Sequence, residues 1–190
     1  MNIVSDEYDN LKSVVYSDEF AKAWIGFGEP YKKALNLIAK NKEFIASSAK
    51  KWGVDPQAIA SVIFQEKFMG KWADIKNLVT LPKLIFDESY SFGLSEMQIQ
   101  TAKRLLKVRG EKGTTRQAIA WLGTEVGAID LTAQYLKELQ EQTGKTDPQQ
   151  LAQAYNLGAD KFNKGYYSNV GRRSKYFQKE IAKALRGEIE

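Results

Sequence analysis

The sequence predicts an all-α protein, and three observations carry that expectation. Apolar residues recur three and four positions apart over several stretches of helical length. Two of the four prolines follow an aspartate, at Asp55-Pro56 and Asp147-Pro148, which places a capping side chain before a proline at the first helical position. No stretch alternates apolar and polar residues in the manner of a half-buried strand.

Taken in order, Leu11, Val14, Val15, Phe20, Trp24 and Phe27 place one or two short helices within residues 7–29. Leu35, Ile38, Phe44 and Ile45 form the apolar face of a helix over 30–51 that stops before Gly53. Pro56 opens the next, over 56–68. Residues 70–93 are less regular, with Gly70, Pro82 and Gly93, and show helical spacing over 74–86. Ser95 and Gln98 stand three apart as in a capping box, predicting a helix from there to Lys107 and then a turn at 109–113. Ile119, Leu122, Val126, Ile129, Ala133, Leu136 and Leu139 predict one long helix over 115–142. Its small residues Ala118, Gly123, Gly127 and Ala128 predict close neighbours. A short helix over 148–155 stops near Gly158, and a last one covers 172–186. With no linker, repeat or low-complexity segment, the expected organisation is one compact domain. An N-terminal helical extension over 1–50 packs on a main domain over 51–190.

Composition narrows the chemistry. The 190 residues are 43% hydrophobic and 27% charged, which suits a packed globular domain. The net charge of +5 favours polyanionic partners without naming one. There is no cysteine, hence no disulfide and no thiolate nucleophile, and no histidine, which removes Ser-His-Asp and Cys-His catalysis. Acid–base chemistry near neutral pH then falls to carboxylates, lysine or tyrosine, and no metal or cofactor is called for. The first nine residues are acidic and lack an apolar stretch, so they do not read as a secretory signal. No window has the roughly 18–20 apolar residues of a membrane span.

One carboxylate stands out. Ile59, Val62 and Ile63 form the buried stripe of the helix opened by Pro56, and Glu66 follows them by seven, four and three residues, on the same side. A carboxylate there is costly unless paired or partly wet, and burial raises its pKa, as a general acid at neutral pH requires. The plainer account is an ion pair with Lys67 or another cation, or a side chain leaving the core at its edge.

The stretch from Val54 to Glu66, VDPQAIASVIFQE, resembles the catalytic helix of the lytic transglycosylase and goose-type lysozyme superfamily, in which a proline-started apolar helix ends in the catalytic glutamate. Two further segments follow in that family's order. SFGLSEMQIQTA, from Ser91 to Ala102, is similar to the family's Gly-Leu-Met-Gln segment, with Ser95 in place of the usual Met and Glu96 in place of the usual Gln; a shift of one or two residues would put Gln98 there instead. AYNLG, from Ala154 to Gly158, resembles its Ala-Tyr-Asn-x-Gly signature, and Tyr176 is similar to a family tyrosine near the acid. The resemblance spans about residues 54–181 and implies a lysozyme-like fold. It also implies that Glu66 is the acid and that Ser91, Gln98, Tyr155, Asn156 and Tyr176 meet the sugar. Glu96 reads equally as an acidic residue in a helix's first turn, favoured by the macrodipole.

The implied activity is cleavage of the MurNAc-GlcNAc β-1,4 bond of peptidoglycan. Glycoside cleavage needs an acid at the leaving oxygen, and an inverting hydrolase needs a second carboxylate about 6.5–9.5 Å away to hold water. Asp87, Glu88 and Glu96 are the candidates, the first two just before the glycine segment, where goose-type lysozymes place an Asp. A lytic transglycosylase needs no second carboxylate and leaves a 1,6-anhydro sugar. A lysozyme-like module that binds glycan without cutting it is the third reading. Tyr90, Phe92, Tyr155, Tyr166 and Tyr167 are the aromatic faces available for sugars, and the basic stretch 163–173 is available for the polymer. Peptidoglycan strands are the expected partner, reached after lysis or dedicated secretion. An inhibitor or immunity protein is compatible with this, and a monomer is expected. Nucleic acid is not, since no helix combines a basic stripe with a DNA-reading turn.

Overall fold

The structure is a computed structural model that describes residues 29–69 and 90–189. The helices expected within 7–29 and 74–86, and the candidate carboxylates Asp87 and Glu88, lie outside the described residues. Among those described, the chain is all-α, with one short hairpin. In chain order the elements are α1 (Glu29–Lys40), α2 (Lys42–Trp52), α3 (Pro56–Met69), β1 (Ser91–Phe92), β2 (Met97–Gln98), α4 (Ile99–Val108), α5 (Thr115–Leu122), α6 (Glu125–Thr143), α7 (Pro148–Leu157), α8 (Ala159–Asn163), α9 (Asn169–Tyr176) and α10 (Gln178–Arg186).

Both Asp-Pro starts form as their chemistry dictates. The Asp55 carboxylate accepts from the Gln57 amide at 2.7 Å, and Asp147 accepts from the amides of Gln149 and Gln150. The stretch expected as one helix over 30–51 is two helices that meet at Asn41, and the break leaves Phe44 45% exposed while Ile38 and Ile45 are buried. The helix expected over 115–142 is also two. Gly123 ends α5, and the Thr124 side chain accepts from the Gly127 amide to start α6, so local capping overrides a continuous apolar period. The final helix is divided at Phe177 into α9 and α10.

The capping box expected at Ser95 does not form. Ser91–Phe92 pairs antiparallel with Met97–Gln98, Ser91 opposite Gln98 and Phe92 opposite Met97, and the four residues between them are the turn. α4 therefore starts at Ile99, with Gln98 as an extended residue whose side chain caps nothing.

Two apolar clusters organise the described residues. The larger joins α1, α2, α3, α6, α7 and α10 around α3, whose residues from Ala58 to Gln65 are all buried. α1 and α2 supply Leu35, Ile38 and Ile45 to this same cluster, so its packing runs across position 50 without a break. The smaller cluster holds Met97, Ile99, Leu105, Leu106, Leu122 and Leu131, and joins the hairpin, α4 and α5 to one side of α6. Tyr135 and Tyr155 pack against both clusters.

A part-buried ionic node centred on Asp130 ties α2, α4 and α6 together. Asp130 accepts from Lys51 Nζ at 2.9 Å, Trp52 Nε1 at 2.9 Å and Arg109 Nη1 at 2.6 Å. The Arg109 guanidinium lies 4.9 Å from the Trp52 ring and 5.0 Å from the Trp121 ring, and its Nε donates to Gln134.

Candidate active site

A cleft of about 340 Å³ opens along the seam of the two clusters, within the size range of small-ligand sites. Glu66, Ser91, Glu96, Gln98, Tyr155 and Asn156 line it together, although they come from α3, the hairpin and α7. Tyr176 does not line it; that residue ends α9, 38% exposed, with its ring 5.1 Å from Phe177. Asp87 lies outside the described residues.

Helical geometry aims Glu66. Phe64 and Phe68 each stand two residues away, about 200° round the helix, and so point to the opposite side. Both are held in an aromatic cluster with Tyr31 and Phe177, with Phe64 5.2 Å from Phe68 and 5.0 Å from Phe177. That anchor turns Glu66 to the cleft, where it is half-buried. The apolar stripe does not single out this face, because α3 is buried on all sides up to Gln65. Glu66 is instead the point at which a wholly buried helix reaches solvent.

The hairpin supplies the second carboxylate. Strand side chains alternate, so Ser91 and Gln98, paired across the strands, face the cleft, while Phe92 and Met97 pack into the smaller cluster, Met97 also bordering the cleft. Glu96 closes the turn with φ +46°, the one non-glycine residue at positive φ among those described. Such a conformation costs of order 1 kcal/mol and persists where surrounding contacts impose it. Here three helices impose it. Lys67 Nζ of α3 donates to the Gly93 carbonyl at 3.1 Å, the Ser95 and Thr132 hydroxyls are hydrogen-bonded at 2.7 Å, and the Tyr155 hydroxyl donates to the Ser95 carbonyl at 3.2 Å. At the start of the turn Gly93 has φ +83°, and a Cβ there would lie 2.3 Å from the Leu122 carbonyl oxygen. Only glycine fits.

Burial pushes the Glu96 carboxyl above the ordinary value, with the Lys67 charge acting against it. Burial also pulls the Lys67 ammonium below the ordinary lysine value, and Glu96 and then Glu66 oppose that. The Tyr155 phenol is pushed far up by burial, against its hydrogen bond at Ser95 and with the Glu66 charge adding to the rise, so it stays a neutral donor.

Sequence reasoning missed four features of this site. Tyr135 lines the cleft, its ring 5.3 Å from that of Tyr155, and so does Lys161 of α8. Gly158, read from sequence only as a helix stop, has φ +78° and ψ 153° and makes the sharp bend that leads directly into α8. Ser95, in the position where the resembled family has Met, is a buried tie rather than a helix cap. Of the aromatic candidates only Tyr155 lines the cleft; Tyr90 and Phe92 pack on the smaller cluster, and Tyr166 and Tyr167 are exposed. Among the described residues, no group of three or more acids could hold a metal ion, and no helix is long and apolar enough to cross a membrane. No protein-family model, curated protein or solved structure matches this chain.

Proposed function

We propose that this chain is a lysozyme-like peptidoglycan glycosidase, a muramidase that cleaves the MurNAc-GlcNAc β-1,4 bond with Glu66 as general acid. One observation carries the reading: a half-buried glutamate at the end of a buried helix shares an open cleft with a second glutamate and with Gln98, Tyr155 and Asn156. A glycosidic oxygen is a poor leaving group until protonated. Glu66, in its protonated form, delivers that proton. The developing oxocarbenium ion then needs negative charge or a held water on its other side, which is the part assigned to Glu96. The Tyr155 hydroxyl is committed to Ser95, so its ring and that of Tyr135 are what meet the sugar. Lys161, on the rim, suits the carboxylates that peptidoglycan carries and a neutral glycan lacks. The enzyme acts on the wall after lysis or dedicated secretion.

Mass spectrometry of muropeptides released from purified peptidoglycan tests the reaction type. Reducing MurNAc ends are the expected product. A complete set of 1,6-anhydro ends would make the protein a lytic transglycosylase in which Glu66 works alone, and binding without release would make it a glycan-binding module.

A further inference from the structure

The Gly93 carbonyl accepts two donors at once: the Glu96 amide across the turn at 3.4 Å, and the Lys67 ammonium at 3.1 Å. Lys67 follows Glu66 on α3, about 100° further round the helix, and does not line the cleft. It is half-buried behind the turn, at the junction between the element that carries Glu66 and the one that carries Glu96. The charges acting on it among the described residues are those two carboxylates. The remaining titratable groups on the cleft wall are Tyr135, Tyr155 and Lys161. One cation thus touches the backbone that sets the position of Glu96 and electrostatically couples to both acids.

We propose that Lys67 is a positioning residue for the cleavage: it straps the turn that presents Glu96 to the helix that presents Glu66, and its charge favours the ionised form of Glu96. This rests on the muramidase reading. Burial favours the protonated form of Glu96, and the Lys67 ammonium opposes this. Removing that charge leaves burial unopposed and moves the Glu96 carboxyl further up. Lys67 acts through these groups and makes no contact with the glycan.

The test is the pH dependence of kcat/KM on soluble peptidoglycan fragments for the full chain, compared with Lys67→Gln and Lys67→Arg. Gln keeps a donor for the Gly93 carbonyl and removes the charge; Arg keeps both. The acid limb of the Gln variant is expected to move to higher pH, lowering kcat/KM on that limb by about tenfold, while Arg leaves the limb in place. A folded Gln variant with the wild-type profile overturns the proposal. So does an Arg variant that shifts as far as Gln, because the effect would then not be one of charge. If Gln disturbs the fold, as circular dichroism would reveal, carboxyl-carbon NMR titration of Glu96 in wild type and Lys67→Arg decides. Matching titrations, both displaced when Lys67 is replaced by Met, support the charge role, and no displacement overturns it. A wild-type protein that releases nothing from peptidoglycan tells against the muramidase reading, whereas the Glu96 titration addresses Lys67 alone.

Discussion

Glu66 and Asp130 show how the same functional group takes opposite fates in this chain. Asp130 is 5% exposed, and burial alone would raise its carboxyl. Hydrogen bonds from Trp52 and Lys51, with the charge and hydrogen bond of Arg109, more than offset this and hold it below the ordinary carboxylate value. Its folded pKa is depressed, so the stability it supplies is fully present above the unfolded value of about 3.9 and is lost as pH falls through the lower folded value. Asp130→Ala is expected to cost about 3 kcal/mol by urea unfolding at neutral pH, because Arg109 is left buried without its carboxylate. The variant should also lose less stability than wild type on acidification, and equal acid losses would contradict that account. Glu66 and Glu96 are different in kind: each faces an open cleft, and Lys67 couples to both without lining it. The helix that carries Glu66 was legible from sequence because its capped start and apolar run are local properties, but the i, i+3, i+4 and i+7 stripe did not aim the side chain, since the helix is buried on every side up to Gln65. Lys67 was legible only as a pairing partner, since its bond to Gly93 spans 26 positions that no periodicity encodes.

The hairpin is the element on which the site depends. Four residues separate two-residue strands, too short for an alternation signal, and this is why the sequence read Ser95–Gln98 as a helix start. What decides the matter is tertiary: Gly93 lies against the Leu122 carbonyl, and Ser95 is buried against Thr132. Gly93→Ala meets both a forbidden contact and a positive φ. It is expected to destabilise by about 1–3 kcal/mol and to lower activity further than the lost stability accounts for, as the turn carrying Glu96 moves. Denaturant midpoints and rates measured on the folded fraction check this, and an Ala variant with both unchanged would contradict the packing described for the turn. The helix starts at Asp55-Pro56 and Asp147-Pro148, by contrast, were legible because a cap and its first turn occupy adjacent residues.

At the scale of the whole molecule, the cleft exists because two apolar clusters share α6 and meet at Tyr135 and Tyr155. The all-α class was legible from periodicity. The seam was not, since it depends on which helices pack together; Tyr135 reaches the cleft from a segment that read as an ordinary core helix, and Lys161 from one that carried no reading. Lys161 forms no ion pair among the described residues and is the only cation among the lining residues. Lys161→Ala is expected to raise KM several-fold for carboxylate-bearing glycan fragments while leaving it unchanged for neutral chitin oligomers, and equal effects on both would remove its assigned role. The central claim is that the acid is Glu66. Its most direct test is the kcat/KM of Glu66→Gln for glycan release from peptidoglycan, with the urea midpoint measured alongside. The account predicts a loss of at least about 100-fold at unchanged stability, and activity within a few-fold of wild type would contradict it.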